Sequence, residues 1–149
     1  MIPSEQIHIN FSDGGVDVES ASVLPAIGCG AQCLFIGRTR PQLHVEHGSL
    51  LALEYDCYQD MAEQELRILA EEAIQRFSIQ VVNLTHSIGQ VTINEASVVI
   101  AVGSNHREEA FLACKWMIDL LKQRIPLWKK EVWANGTTWS EGKPLISHE

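Results

Sequence analysis

Four cations, Lys122, Arg124, Lys129 and Lys130, are set around Pro126 and Trp128 in LKQRIPLWKKE, residues 121–131. They stand out because the chain has only 11 Lys and Arg among 149 residues and a formal net charge of −8. A run of charge is ordinarily a solvated face. Clustered cations also suit a pocket for an anion, and a lysine among them can act as nucleophile or general acid/base. Residue types and spacing leave both readings open.

Two further groups carry positive charge at positions suited to ligands. Arg38, Thr39 and Arg40 follow Gly37 at the end of an apolar run, and loops held at strand ends are common sites of function. The plainer reading is a solvated basic loop. His106 and Arg107 in GSNHR open a helical segment. A first turn offers unpaired N–H groups and the positive dipole end, which suit an anion. Cations there oppose the dipole unless an anion answers them; the alternative is neutralisation by Glu108 and Glu109. Lys115 and Asp119, four apart, read as a surface pair of about a few tenths of a kcal/mol.

Other chemistry is weakly signalled. His44, Glu46 and His47 (HVEH) offer metal-ligating types, but the spacing fits no standard motif. Ser104 lacks the GxSxG elbow, and there is no GxGxxG or P-loop. Cys29, Cys33, Cys57 and Cys114 form no CxxC pair and read as reduced structural thiols. The acidic balance argues against a general nucleic-acid binder, and an RNA-binding domain would need an aromatic platform on a basic strand face.

The length and the 46% hydrophobic, 20% charged composition suit one globular domain over residues 1–149. No apolar run approaches the about 20 residues needed to span a bilayer. The N-terminus lacks the basic-then-apolar pattern of a secretory signal, so the expectation is cytoplasmic. Residues 6–11, 31–36, 50–55, 79–87, 90–93 and 97–102 read as strands. Between them, Ala62, Leu66, Leu69, Ala70, Ala73, Ile74 and Phe77 recur at helical spacing behind a cap at Asp60. A second helix spans about 106–124, capped by Asn105 and stopped by Pro126, with Phe111, Cys114, Ile118 and Leu121 on its apolar face. Residues 131–139 read as a hairpin turning at Asn135-Gly136. Two helices cannot cover both faces of a parallel sheet. The expected class is therefore α+β, two helices on a mainly antiparallel sheet.

Helix length constrains any shared site. His106 and Lys122 are 16 residues apart, roughly 24 Å along a helix. One small substrate cannot touch both ends. If both clusters serve one site they come from different subunits, as a two-fold homodimer allows.

Taken together, FIGRTR (35–40), LEYDCYQDMA (53–62), HSIGQV (86–91), SNHREEAF (104–111), IDLLKQRIPLWKKE (118–131) and the later GTTW resemble the large catalytic subunit of molybdopterin synthase. Order and spacing agree over roughly residues 31–139. The resemblance implies an α/β-hammerhead-like fold and a sulfurtransferase of molybdenum cofactor biosynthesis. The implied reaction converts cyclic pyranopterin monophosphate to molybdopterin by installing two dithiolene sulfurs. The implied donor is the C-terminal thiocarboxylate of a small ubiquitin-like sulfur-carrier subunit, in a heterotetramer built on a homodimer of large subunits. It implies no metal and no cofactor, and neither nucleic acid nor membrane as a partner.

Carried onto this chain, the resemblance makes Lys122 and Lys129 the catalytic lysines, the first beside the carrier's terminal carbonyl, the second against the pterin. It makes Arg38, Thr39 and Arg40 the substrate-binding loop, and His106 and Arg107 the pair that reaches across from the neighbouring subunit. Lys130 and Glu131 extend the substrate-lining segment. Asn94 stands where the family often has Gly, and Lys143 is the candidate for a further basic residue near the C-terminus. The alternative is a non-catalytic pterin- or anion-binding scaffold of the same fold.

Overall fold

A computed structural model of the chain describes residues 6–25 and 28–139; Lys143 lies outside them. The elements run β1 (Ile7–Ser12), α1 (Val18–Ala21), β2 (Ala31–Arg38), β3 (Leu43–His44), β4 (Gly48–Cys57), α2 (Gln59–Phe77) and β5 (Val81–Ser87). They continue with β6 (Gln90–Thr92), β7 (Ala96–Ser104), α3 (Arg107–Arg124), β8 (Leu127–Trp133) and β9 (Gly136–Trp139).

The strands form two sheets. One has the order β1-β5-β7-β2; the other runs β3-β4-β8-β9, with β6 also paired to β4. Only β1 with β5 is parallel; the remaining pairs are antiparallel. The class is α+β, as the sequence implies.

Strand β7 explains the layering. All of its residues are buried. Val98, Ile100 and Val102 face a core shared with Leu66, Leu69 and Ala70 of α2 and Ala113, Met117 and Leu121 of α3. Val99 belongs to a second, smaller core with Val16 and Ala21. Alternate side chains thus meet different layers, which is why the strand is an unbroken apolar run.

Several local expectations need correction. The one-turn α1 and the two-residue β3 carry too few residues to show a period. Helix α2 starts one residue after Tyr58, so Asp60 lies in the first turn and serves the dipole rather than the cap. Helix α3 starts after His106, not Asn105. The cause is Ser104, whose Oγ accepts the His106 N–H at 3.2 Å and keeps the chain extended one residue longer. Phe111 is 63% exposed. The stripe that packs is Ala110, Ala113, Cys114, Met117, Ile118 and Leu121, because the two alanines let the helix approach the sheet. The β8–β9 hairpin turns at Ala134 and Asn135, with Gly136 already paired to Trp133. Gly136 has φ +136°, and a Cβ there would sit 3.0 Å from His47 Nδ1.

Arg124 fastens the end of α3 to α2. Its guanidinium donates to both Glu72 carboxylate oxygens, at 2.8 and 3.2 Å. Those hydrogen bonds hold the Glu72 carboxyl below its ordinary range. The Glu72 side chain is 44% exposed, so solvent screens the pair. We expect Arg124→Ala to cost about 0.5–1 kcal/mol in urea unfolding at neutral pH. A lowered carboxyl pKa stabilises above the unfolded pKa, and that stability is lost as pH falls through the folded one. The difference between variant and wild type therefore shrinks in acid.

Candidate active site

Helix α3 ends at Arg124 and β8 begins at Leu127. Only Ile125 and Pro126 join them. Ile125 has ψ 130°, the extended setting that a following proline imposes. The sharp joint folds the strand back so that Lys122, in the last turn of the helix, and Lys129, in the strand, line one pocket. A cation in a last helical turn is also favoured by the dipole.

The pocket, of about 260 Å³, lies where both sheets meet the end of α3. Arg38, Thr39 and Arg40 form another wall. Tyr55, which pairs with Lys129 across β4 and β8, forms a further wall together with His86. An acidic chain thus gathers two lysines and two arginines around one cavity.

The arginine loop is held by the turn after β6. Thr39 N–H donates to the Glu95 carbonyl at 3.0 Å, and Asn94 N–H to the Thr39 carbonyl at 2.7 Å. Arg38 Nη1 donates to the Asn94 carbonyl at 2.8 Å. Asn94 has φ +74°. That left-handed setting suits Gly, and Asn is one of the few other residues that adopts it readily. Glu95 Oε1 braces the turn by accepting from Thr92 N–H at 2.8 Å and Thr92 Oγ1 at 2.7 Å.

Not every residue singled out in the sequence reaches this pocket. Lys130 points to the opposite face of β8, as strand alternation requires. There it meets Glu54 at 3.4 Å and lies over the Trp139 ring at 5.5 Å. Glu131 Oε1 accepts the Thr138 hydroxyl at 2.6 Å, and Thr138 Oγ1 accepts Trp133 Nε1–H at 2.9 Å. His106 and Arg107 are exposed at the other end of α3, in a shallow depression with Gly30, Asn105, Glu108 and Glu109. Lys115 and Asp119 form an exposed ion pair at 2.6 Å.

The HVEH segment is structural. His44 Nδ1 accepts the N–H of Glu46 at 3.0 Å and of His47 at 3.2 Å, and His47 Nδ1 lies 3.0 Å from the Asn135 carbonyl. Among the described residues no group of three or more His, Cys, Asp or Glu could hold a metal ion. The four cysteines are free thiols, and burial pushes that of Cys114 up to about 12. No described helix is long and apolar enough to cross a membrane.

Among the pocket residues not identified as candidates from sequence are Tyr55 and His86. Tyr55 reads as core. His86 ends an apolar strand and resembles a satisfied core histidine. It is fully buried, and its ring meets Tyr55 edge-on at 5.1 Å and 79°. Burial pushes its pKa down to about 4, against the hydrogen bond to the Ser87 carbonyl, so it is neutral. The one signal was its place at the head of HSIGQV.

Comparison with known proteins places the chain in a family. The sequence model described as "MoaE protein" matches residues 12–124. The chain belongs to the MoaE protein family. The human molybdopterin synthase catalytic subunit is 37% identical over 136 residues, covering 91% of this chain and 71% of that one. The molybdopterin synthase catalytic subunit of Culex quinquefasciatus is 41% identical over 116 residues, covering 77% and 73%. A crystal structure of molybdopterin synthase from Staphylococcus aureus superposes with a TM-score of 0.77 at 29% identity, covering 91% of this MoaE protein and 96% of that chain.

Proposed function

We infer that this MoaE protein is the catalytic subunit of a molybdopterin synthase. It converts cyclic pyranopterin monophosphate to molybdopterin, with sulfur from the thiocarboxylated C-terminus of a small ubiquitin-like carrier subunit. The observation that carries this reading is the joining of Lys122 and Lys129 in one pocket with Arg38 and Arg40. Both reactants are anionic, one through its phosphate and the other through its thiocarboxylate. Positive groups attract both and stabilise charge that develops as sulfur attacks the substrate carbon. In this reading Arg38, Thr39 and Arg40 hold the substrate and Lys129 contacts the pterin. Lys122 lies beside the carrier's carbonyl: once sulfur is bonded to the substrate carbon, water adds at that carbonyl and the carbonyl carbon–sulfur bond breaks, leaving sulfur on the pterin and a carboxylate on the carrier.

The cavity of about 260 Å³ is small for a ligand site, since such sites usually measure about 300–1,000 Å³. In this reading one chain supplies part of the site. Helix α3 is 18 residues long, about 27 Å, so His106 and Arg107 cannot serve the pocket of their own chain. They complete the pocket of a second copy in a two-fold dimer, and the carriers make it a heterotetramer. Lys130 and Glu131 support the substrate-lining strand from outside the pocket. The reading takes residues 1–149 as one domain acting in the cytoplasm.

Reconstitution tests it. The full chain, thiocarboxylated carrier and cyclic pyranopterin monophosphate should yield dithiolene product. Substrate binding without product would favour the non-catalytic scaffold.

A further inference from the structure

We propose that His86 is a further substrate-binding residue of this pocket, its Nε2 accepting a hydrogen bond from a ring N–H of the pyranopterin. The inference rests on the function proposed above.

His86 Nδ1 lies 2.8 Å from the Ser87 carbonyl oxygen. A carbonyl can only accept, so Nδ1 carries the proton and Nε2 is left as a bare acceptor. The Tyr55 ring fixes the plane of the imidazole. In the unliganded chain Nε2 is closed to water and has no hydrogen-bond partner, so the substrate reaches it only as the pocket wall yields on binding. An unmet buried acceptor is costly, and most such groups in folded proteins are satisfied.

The distribution of unmet groups is informative. Among the described residues three buried side-chain atoms lack a partner: Thr39 Oγ1, Gln80 Oε1 and His86 Nε2. Thr39 and His86 both line the cavity that holds Lys122 and Lys129. Two of the three residues with an unmet polar atom, from distant parts of the chain, thus line the pocket where the ligand is expected.

The two kinds of group divide the work. The arginines and lysines are donors; in the reading above the arginines take the substrate's anionic end and Lys129 contacts the pterin. His86 Nε2 can only accept, so it selects a neutral N–H, which the fused rings of a pyranopterin carry. Thr39 Oγ1, on another part of the pocket wall, can donate or accept. A site built this way rejects an analogue lacking the matching N–H, because the acceptor would stay unpaired.

The test uses the full chain with isotope-labelled imidazole nitrogens and cyclic pyranopterin monophosphate as probe. The carrier is omitted, so binding is read without turnover. At saturation the His86 Nε2 resonance should move upfield. His86→Phe should weaken binding about 10- to 100-fold. His86→Gln can place an amide oxygen near the Nε2 position and should restore most of the affinity. An Nε2 resonance unmoved at saturation overturns the proposal, as does a folded His86→Phe chain that binds like wild type. The resonance is read on the wild type and needs no variant to fold. Failure of the underlying function looks different. Then wild type does not bind the probe, or binds it equally well after Lys129→Ala, and the role of His86 falls with it.

Discussion

Lys122→Ala should lower dithiolene formation at least about 100-fold while leaving thermal unfolding and dimer mass unchanged. The size follows from what the side chain does. It brings a fixed positive charge to a partly enclosed pocket, beside Lys129. Removing one preorganised donor from such a site typically costs two to three orders of magnitude. The fold should tolerate the change. Lys122 is only half-buried, and the core of α3 is carried by Ala113, Met117, Ile118 and Leu121. Lys122→Arg keeps the charge but spreads it over a planar fork, so it should recover only part of the rate. The measurement is single-turnover product formation with thiocarboxylated carrier in excess. Wild-type rates from a folded Lys122→Ala dimer would remove Lys122 from the chemistry.

The composite site proposed above gives the second large effect. Lys122→Ala and Arg107→Ala should each be nearly inactive as homodimers. Mixed dimers should regain activity. In a mixed dimer one pocket collects both lesions, and the other receives an intact Lys122 and an intact Arg107. Random mixing makes half of the dimers mixed, so about a quarter of wild-type sites should return. If both residues served the same chain's pocket, every pocket would keep a lesion and mixing would restore nothing. Co-expression with two affinity tags, followed by the product assay, separates these outcomes. Helix α3, about 27 Å long, makes the second outcome implausible on distance alone.

Much of this was legible in the sequence, and the reasons differ by element. The α2 stripe predicts its buried face because Ala62, Leu66, Leu69, Ala70 and Ala73 obey one period. The end of α3 is legible because proline acts locally on the residue before it. The face of α3 was only partly legible. Phe111 is more apolar than Ala110, yet the smaller residue packs, and close approach is a property of the pair of elements. The site followed the same rule. Lys122 and Lys129 are near in sequence and share a joint. His86 joins them through pairing of β5 with β7 and contact with Tyr55, which no spacing encodes. Lys130 shows the converse, a neighbour in sequence turned away by strand alternation.

The joint at Ile125 and Pro126 also bears on how the gene can vary. The last helical turn and the strand after it are joined by only two residues, which limits how far apart the backbones of the two lysines can lie. A single inserted or deleted codon after Pro126 would invert β8 and exchange its two faces. Because Lys129 and Lys130 are adjacent, a one-codon deletion would still present an ammonium to the pocket. Its price would fall on Glu54, which would lose its counter-charge. The doubled lysine would thus keep a cation facing the pocket through such a change.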